Sequence, residues 1–422
     1  MDIIIKNARV IDMVSREGEY ASIAIDGGKI AAIGEVTGTA ARTIDAGGKI
    51  VMPGLINTHT HVPMTIMRGL KDDVTLQDWL FNSIFPVEDN LTPDDVYWAS
   101  LAGMCEMLAS GTTCFCDMYM MSDKIAEAAL LSGMRANISR SIVDSDGIDN
   151  AKKRIAESVE LYKGFHGGKI KIDAAVHAVY TNSRDSVELT GRMADDYNMR
   201  MQVHISETET ENRECIEKHG KSPAQILNGY GLFDRPTVAA HCVFLDGEDL
   251  RIFKEKNVHI AHNPGSNLKL ASGVAPIADY IGGGINTALG TDGAASNNNQ
   301  NMFKEIQLAA TLHKGVNRDP LLISASEALK MATVNGAKAL GREAEIGMIA
   351  PGMSADLIFV DTDLPHMYPM HNAVSAAVYS AMASDVSAVM IEGEFLYENR
   401  EFKTMDYEKI KFEVDRIYNR LF

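Results

Sequence analysis

His59-Thr60-His61 closes the apolar run PGLINTHTHVP, and two imidazoles two residues apart on an extended segment point the same way. Further along stand His204 in VHISET, His241 in AHCV and Asp292 in GTDG, each again at the end of a short apolar run. Imidazole nitrogen and carboxylate oxygen are common ligands of a divalent transition ion, with zinc the usual one. His59, His61, His204 and Asp292 offer three nitrogens and one oxygen, and leave a position for water. Such an ion lowers the pKa of bound water from about 15.7 to about 7, so the chemistry on offer is hydrolysis at neutral pH. A pair of histidines two apart is a weak signal alone. It becomes strong only if other elements bring His204 and Asp292 to the same place.

Those elements can be read from the spacing. Eight apolar runs are candidate strands: KIVMPGLINTHTH, TTCFCDMY, RANISRSIV, KIDAAVHAV, RMQVHISE, TVAAHCVF, HIAHNP and NTALGTDG. Helical periods separate most of them, among them DDVYWASLAGMCEMLAS, AKKRIAESVELYKGF, SVELTGRMADDY and NMFKEIQLAATLHKG. Alternating β and α predicts a parallel sheet, and eight repeats predict an α/β fold closed into a (β/α)8 TIM barrel over residues 53–351. A doubly wound open sheet is the runner-up, but no strand is followed by Gly-x-Gly-x-x-Gly. In a closed barrel the chemistry sits at the C-terminal ends of the strands, where His59, His61, His177, His204, His241, His262 and Asp292 fall. The flanks differ. Residues 1–52 and 352–422 read as short strands broken by Asp-Gly-Gly and Gly-Gly turns, and predict one composite antiparallel β-sandwich, with a helix from Tyr407.

Composition narrows the class. A net charge of −17 over 422 residues argues against a nucleic-acid phosphate track, which needs clustered Lys and Arg. No apolar stretch approaches the ~18 residues of a membrane span, and MDIIIKNARVID is not a signal peptide. The five cysteines lack CxxC pairing and read as reduced thiols of a cytoplasmic protein, with Cys114 and Cys116 as strand packing. Gly282-Gly283-Gly284 reads as a turn rather than a phosphate cradle, because no helix follows it.

Pro53 to His61, the strand-five and strand-six histidines and Thr291-Asp292 resemble the amidohydrolase superfamily along essentially the whole chain. Within it, residues 67–89, SGTTCFCDMY, His177, VHISET, AHCV and GTDGAASNNN are similar to the 5-methylthioadenosine/S-adenosylhomocysteine deaminases. The resemblance implies hydrolytic deamination of adenine nucleosides, with 5'-methylthioadenosine, S-adenosylhomocysteine or 5'-deoxyadenosine as substrate. Guanine or chlorotriazine hydrolysis is the nearest alternative, and an inactive scaffold a remote one. Many superfamily members bridge two metals with a strand-four lysine. Here that strand ends in Ala175-Val176-His177, which implies one divalent ion, zinc first and Fe2+ or Mn2+ next.

In this reading Asp292 is both ligand and base, His241 orients the attacking water, and Glu207 carries a proton to the purine ring. Glu88 matches the carboxylate on the ribose hydroxyls, His177 the purine contact, and Trp79 a pocket wall. Arg140 matches one of two arginines on the homocysteine carboxylate. The second slot holds Lys152, with Arg154 two residues on, and lysine loses the bidentate fork. A small nucleoside, no nucleic acid, no membrane and a second copy of the chain complete the expected partners.

Overall fold

The computed structural model describes residues 1–422, excepting the side chain of Gln77. Each of the eight runs contains a strand: β1 (Leu55–Thr60), β2 (Thr112–Tyr119), β3 (Arg135–Ile142), β4 (Ile170–Val176), β5 (Met201–Ile205), β6 (Thr237–His241), β7 (His259–His262) and β8 (Thr287–Leu289). They follow one another in a single sheet, and every neighbouring pair is parallel. Their residues are buried almost without interruption, as expected of strands covered on both faces. The predicted helices form at Pro93–Ala109, Ile148–Phe165, Arg184–Asp196 and Met302–Asn317. The first of these starts with Thr92 and Asp95 in a reciprocal capping box and Pro93 in the first turn, a local stop–start signal readable in the sequence.

The ring closes between β8 and β1 without a regular ladder. Thr58 Oγ1 donates to Leu289 O at 2.8 Å, the Asp292 N–H to His59 O at 3.0 Å, and the Thr291 N–H to Asn57 Oδ1 at 3.0 Å. A Cβ on Gly290 would lie 2.8 Å from both the N and the O of His59, so glycine is what lets the two chains approach. This seam sets Asp292 beside His59.

The terminal segments form one nine-stranded sheet, and two of their expectations need correction. The run KIVMPGLINTHTH reads as one strand but is two. Ile50–Pro53 pairs with Leu357–Val360 in the terminal sheet, and β1 begins after Gly54, where a side chain would collide with Thr113. The terminal sheet is also mixed rather than antiparallel, because Ile3–Ile11 runs parallel to both Arg42–Asp45 and Ile50–Pro53. Turn signals fix only hairpins, and these pairings are between strands separated by other strands. Ile5, Val10, Ile23, Ile25, Val51, Leu357, Phe359 and Met390 form the hydrophobic core of the sheet. The helix Tyr407–Leu421 buries Ile410 and Ile417 against Pro93–Ala109. Among the described residues no helix is long and apolar enough to cross a membrane.

One ion pair bolts the barrel floor to this sheet. Arg135, first residue of β3, donates through Nε to Asp356 Oδ2 at 2.6 Å and through Nη2 to Glu392 at 2.9 Å, with Arg135 and Asp356 both buried. Arg135→Ala would leave the Asp356 charge buried and uncompensated. It is expected to cost about 3–5 kcal/mol in urea unfolding; a loss below about 1 kcal/mol, the range of an exposed pair, would refute this account of the joint.

Candidate active site

At the C-terminal end of the barrel the side chains of β1, β5, β6 and the β8 loop converge. His59 and His61 approach Asp292 Oδ1 through Nε2, at 3.6 and 3.3 Å. His204 Nε2 lies 3.4 Å from His61 Nε2. The ligand atoms of His59, His61 and Asp292 all lie within 4.8 Å of one another, and so do those of His59, His204 and His241.

The outer faces of these rings are tied down, which fixes how the inner faces can act. His61 Nδ1 meets Met118 O at 2.5 Å and His204 Nδ1 meets His177 O at 2.8 Å. A carbonyl accepts only, so both Nδ1 atoms carry a proton and both Nε2 atoms turn inward, where they can bind a cation once His61 Nε2 gives up its own proton. His59 Nε2 is buried with no hydrogen-bond partner among the described residues. Two inward nitrogens 3.4 Å apart, an orphaned third nitrogen and a carboxylate are a donor set that fits a divalent cation.

Electrostatics agree. Burial opposes protonation of His61, yet Asp292 and Asp117 reverse this and raise it to about 9 in the cation-free chain. His59 and His177 are lowered by burial to about 4, and His204 well below the usual histidine value. Burial would raise Asp292, but the His59 and His61 rings hold it well below the ordinary carboxylate range. The spot concentrates demand for positive charge, and most of its imidazoles stay neutral, as ligands must be.

Asp292 is held from behind. Ser266 and Ser296 donate to its Oδ2 at 2.6 and 2.9 Å, and the Gly293 N–H donates to Oδ1 at 2.8 Å. His241 pairs Nδ1 with Asn267 Oδ1 at 2.9 Å, which leaves Nε2 facing Glu207 Oε2 at 3.9 Å. His241 and Asp292 both have positive φ, at 70° and 62°, a conformation side chains adopt at some cost and one common at functional sites. Burial pushes the Glu207 carboxyl up.

Of the remaining predicted residues, His177 stands at the cluster, its ring centroid 4.9 Å from that of His204, with Nδ1 on Thr181. Burial raises Glu88, while the Tyr119 hydroxyl and the His61 charge act against the rise. Trp79 is buried. Arg140 is not brought to the cluster by any contact. Its Nε donates to Glu157 at 2.8 Å and its Nη1 to Ser141 O at 2.9 Å. Lys152 is exposed on the Ile148–Phe165 helix and paired with Asp149, and Arg154 is held bidentately by Asp146. Lys169 and Lys171 lie at the opposite end of the barrel, on Glu392 and Glu345. The sequence reading missed Ser266, Ser296 and Asn267. Ser296, in the short helix Ala294–Asn297 only four residues after Asp292, was close enough in sequence to be found; Ser266 and Asn267, in the short helix Pro264–Lys269 after β7, carried no such signal.

A (β/α)8 barrel whose first, fifth and sixth strands and eighth loop deliver imidazoles and a carboxylate to one point defines a metal-dependent hydrolase. A model of the amidohydrolase family matches residues 50–396. The chain is 48% identical, over 100% of both chains, to a 5-methylthioadenosine/S-adenosylhomocysteine deaminase of Acetivibrio thermocellus. It is 42% identical, over 99% of both, to a 5'-deoxyadenosine deaminase of Methanocaldococcus jannaschii. A crystal structure of an adenosine deaminase from Xanthomonas campestris with bound zinc superimposes with a TM-score of 0.94 at 32% identity, over 100% of this chain and 98% of that one. The chain belongs to the amidohydrolase family.

Proposed function

We propose that the protein hydrolytically deaminates adenine nucleosides with small or thioether 5' groups: 5'-methylthioadenosine, S-adenosylhomocysteine or 5'-deoxyadenosine. The observation that carries this is the inward-facing set His59, His61, His204 and Asp292 with Glu207 and His241 across from it. The relatives' substrates support the choice of an adenine ring. The four residues would hold one divalent ion, zinc suiting three imidazoles and a carboxylate, with Fe2+ or Mn2+ accepted by the same donors. When bound, the ion supplies a Lewis acid that lowers the pKa of a coordinated water to about 7.

The chain's own groups account for the proton movements. Asp292, kept anionic and locked by two serines, accepts a proton from the attacking water. His241 Nε2, free because Nδ1 is bound to Asn267, orients that water. Glu207, whose carboxyl burial pushes up, donates a proton to the ring nitrogen N1 as C6 becomes tetrahedral. The C6–O bond forms, the proton from Asp292 reaches the amine, the C6–N bond breaks, the remaining proton on the C6 oxygen returns to Glu207 as the carbonyl forms, and ammonia and the inosine analogue leave. Glu88 would accept the ribose hydroxyls, and His177 and Trp79 would border the purine.

The test is ammonia release from 5'-methylthioadenosine, S-adenosylhomocysteine, 5'-deoxyadenosine and adenosine, with guanine and a chlorotriazine alongside. Silence on every nucleoside, or chloride from the triazine without ammonia, would sink the proposal. In the same panel Arg140→Ala is expected to lower kcat/KM for S-adenosylhomocysteine about tenfold or more through loss of a charge-assisted contact, leaving 5'-methylthioadenosine within about twofold. Equal losses on both would count against a carboxylate contact. The exposed Lys152 and the Asp146-bound Arg154 favour substrates without that carboxylate.

A further inference from the structure

Thr208 begins the helix Glu209–His219, its hydroxyl accepting from the Glu211 N–H at 3.1 Å. Thr-x-x-Glu is the pattern of a capping box, in which the third helical residue returns its carboxylate to the N-cap N–H. Glu211 departs from this. Its carboxylate reaches past Thr208 and accepts the N–H of Glu207 at 2.8 Å with one oxygen and the N–H of Ser206 at 3.2 Å with the other. Ser206 sits at φ 50°, in the left-handed region that a non-glycine residue holds only when its surroundings fix it. The strand end at Ile205 and the Glu207 side chain are therefore joined by one strained residue whose conformation is clamped from the next helix. The clamp is local to the turn, and the hydrogen bonds of the Glu211 carboxylate are to the N–H groups of Ser206 and Glu207, with none to His59, His61, His204 or Asp292 among the described residues.

We infer that Glu211 is a positioning residue for the proton-transfer step: by holding the N–H groups of Ser206 and Glu207 it sets where the Glu207 carboxyl stands relative to His241 and the substrate ring. A loop residue without this clamp would rotate about Ser206, and the Glu207 carboxyl would move off its line to the ring nitrogen. A displacement of about 1 Å from productive geometry can cost on the order of a hundredfold in rate. Glu211→Gln preserves shape but replaces one acceptor with an NH2 group, so the two N–H groups can no longer both be held.

The inference rests on Glu207 as the proton donor, and a double-mutant cycle separates the two claims. In the metal-loaded enzyme, Glu211→Gln is expected to lower kcat about tenfold to a hundredfold, with KM within about threefold and metal content unchanged. Glu211→Asp, which keeps both acceptor oxygens on a shorter stem, should fall between. Placed in a Glu207→Gln background, where turnover is followed at high enzyme concentration, Glu211→Gln should change the residual rate less than about twofold, because the group it positions is already gone. The same fold-loss in both backgrounds would overturn the positioning role and assign Glu211 to general loop stability. Loss of metal in Glu211→Gln would overturn it too. Wild-type turnover in Glu207→Gln alone would instead overturn the proton-donor reading, and this inference with it.

Discussion

Glu207→Gln is expected to lower turnover by about 10³–10⁴-fold, at the upper range of what a positioned acid contributes, while the protein keeps its full complement of metal. The amide fills the same space and can still face the ring, but it has no acidic proton to give. The effect should be this large because water attack on C6 breaks the aromaticity of the ring and needs N1 protonated in the same step. Of the other buried carboxyls that act on His241, Asp292 is bound by two serines and takes the water proton in this reading, and Glu211 is engaged with two backbone N–H groups. Steady-state ammonia release together with metal analysis of the purified variant checks the prediction. Turnover within tenfold of the parent would mean that solvent or another residue protonates the ring. A metal-free variant would move Glu207 into the set of ligands.

Removal of the cation is the second large effect. Dialysis against a chelator should abolish ammonia release, and addition of Zn2+ should restore it. The barrel should remain folded, because its core is built from apolar strands and helices that do not depend on the cluster. Its melting temperature should nevertheless fall. An ion bound at a hundred times its Kd stabilises the native state by about 2.7 kcal/mol. The cluster also predicts a proton balance. His61 is raised to about 9 in the cation-free chain, so at neutral pH it holds a proton that a metal must displace. Zinc binding to the stripped protein near pH 7 should therefore release about one proton, measurable by calorimetry in buffers of different ionisation enthalpy. The sign follows directly: lowering the pH fills the imidazoles with protons and weakens metal binding, and raising it does the reverse. Full activity in protein free of any transition ion would remove the basis of the proposed reaction.

Much of this site is legible without coordinates because its signals are local. His59 and His61 share a face by the two-residue period of an extended chain, and the apolar runs between helical periods fix eight strands in order. Parallel strands joined by helices must all point the same way, so the polar residues at their ends gather at one rim. That rule alone brought His204, His241 and Asp292 near the opening pair. The run KIVMPGLINTHTH shows where the same reasoning stops. Its apolar pattern is continuous, and nothing local marks that Ile50–Pro53 pairs with Leu357–Val360 while Leu55–Thr60 joins the barrel.

The amino-acid sequence by itself determined the order of strands and helices, the ring they close into and the identity of the groups at its rim. These follow from periodicity and residue type, which act over a few neighbours. Only the tertiary structure decided what each of those groups can do. Ser266 and Ser296 fix the free oxygen of Asp292, Asn267 the tautomer of His241, and the carbonyls of Met118 and His177 the inward Nε2 atoms of His61 and His204. Most of these contacts join residues more than twenty-five positions apart, and hydrogen bonding at that separation leaves no period in the chain to read.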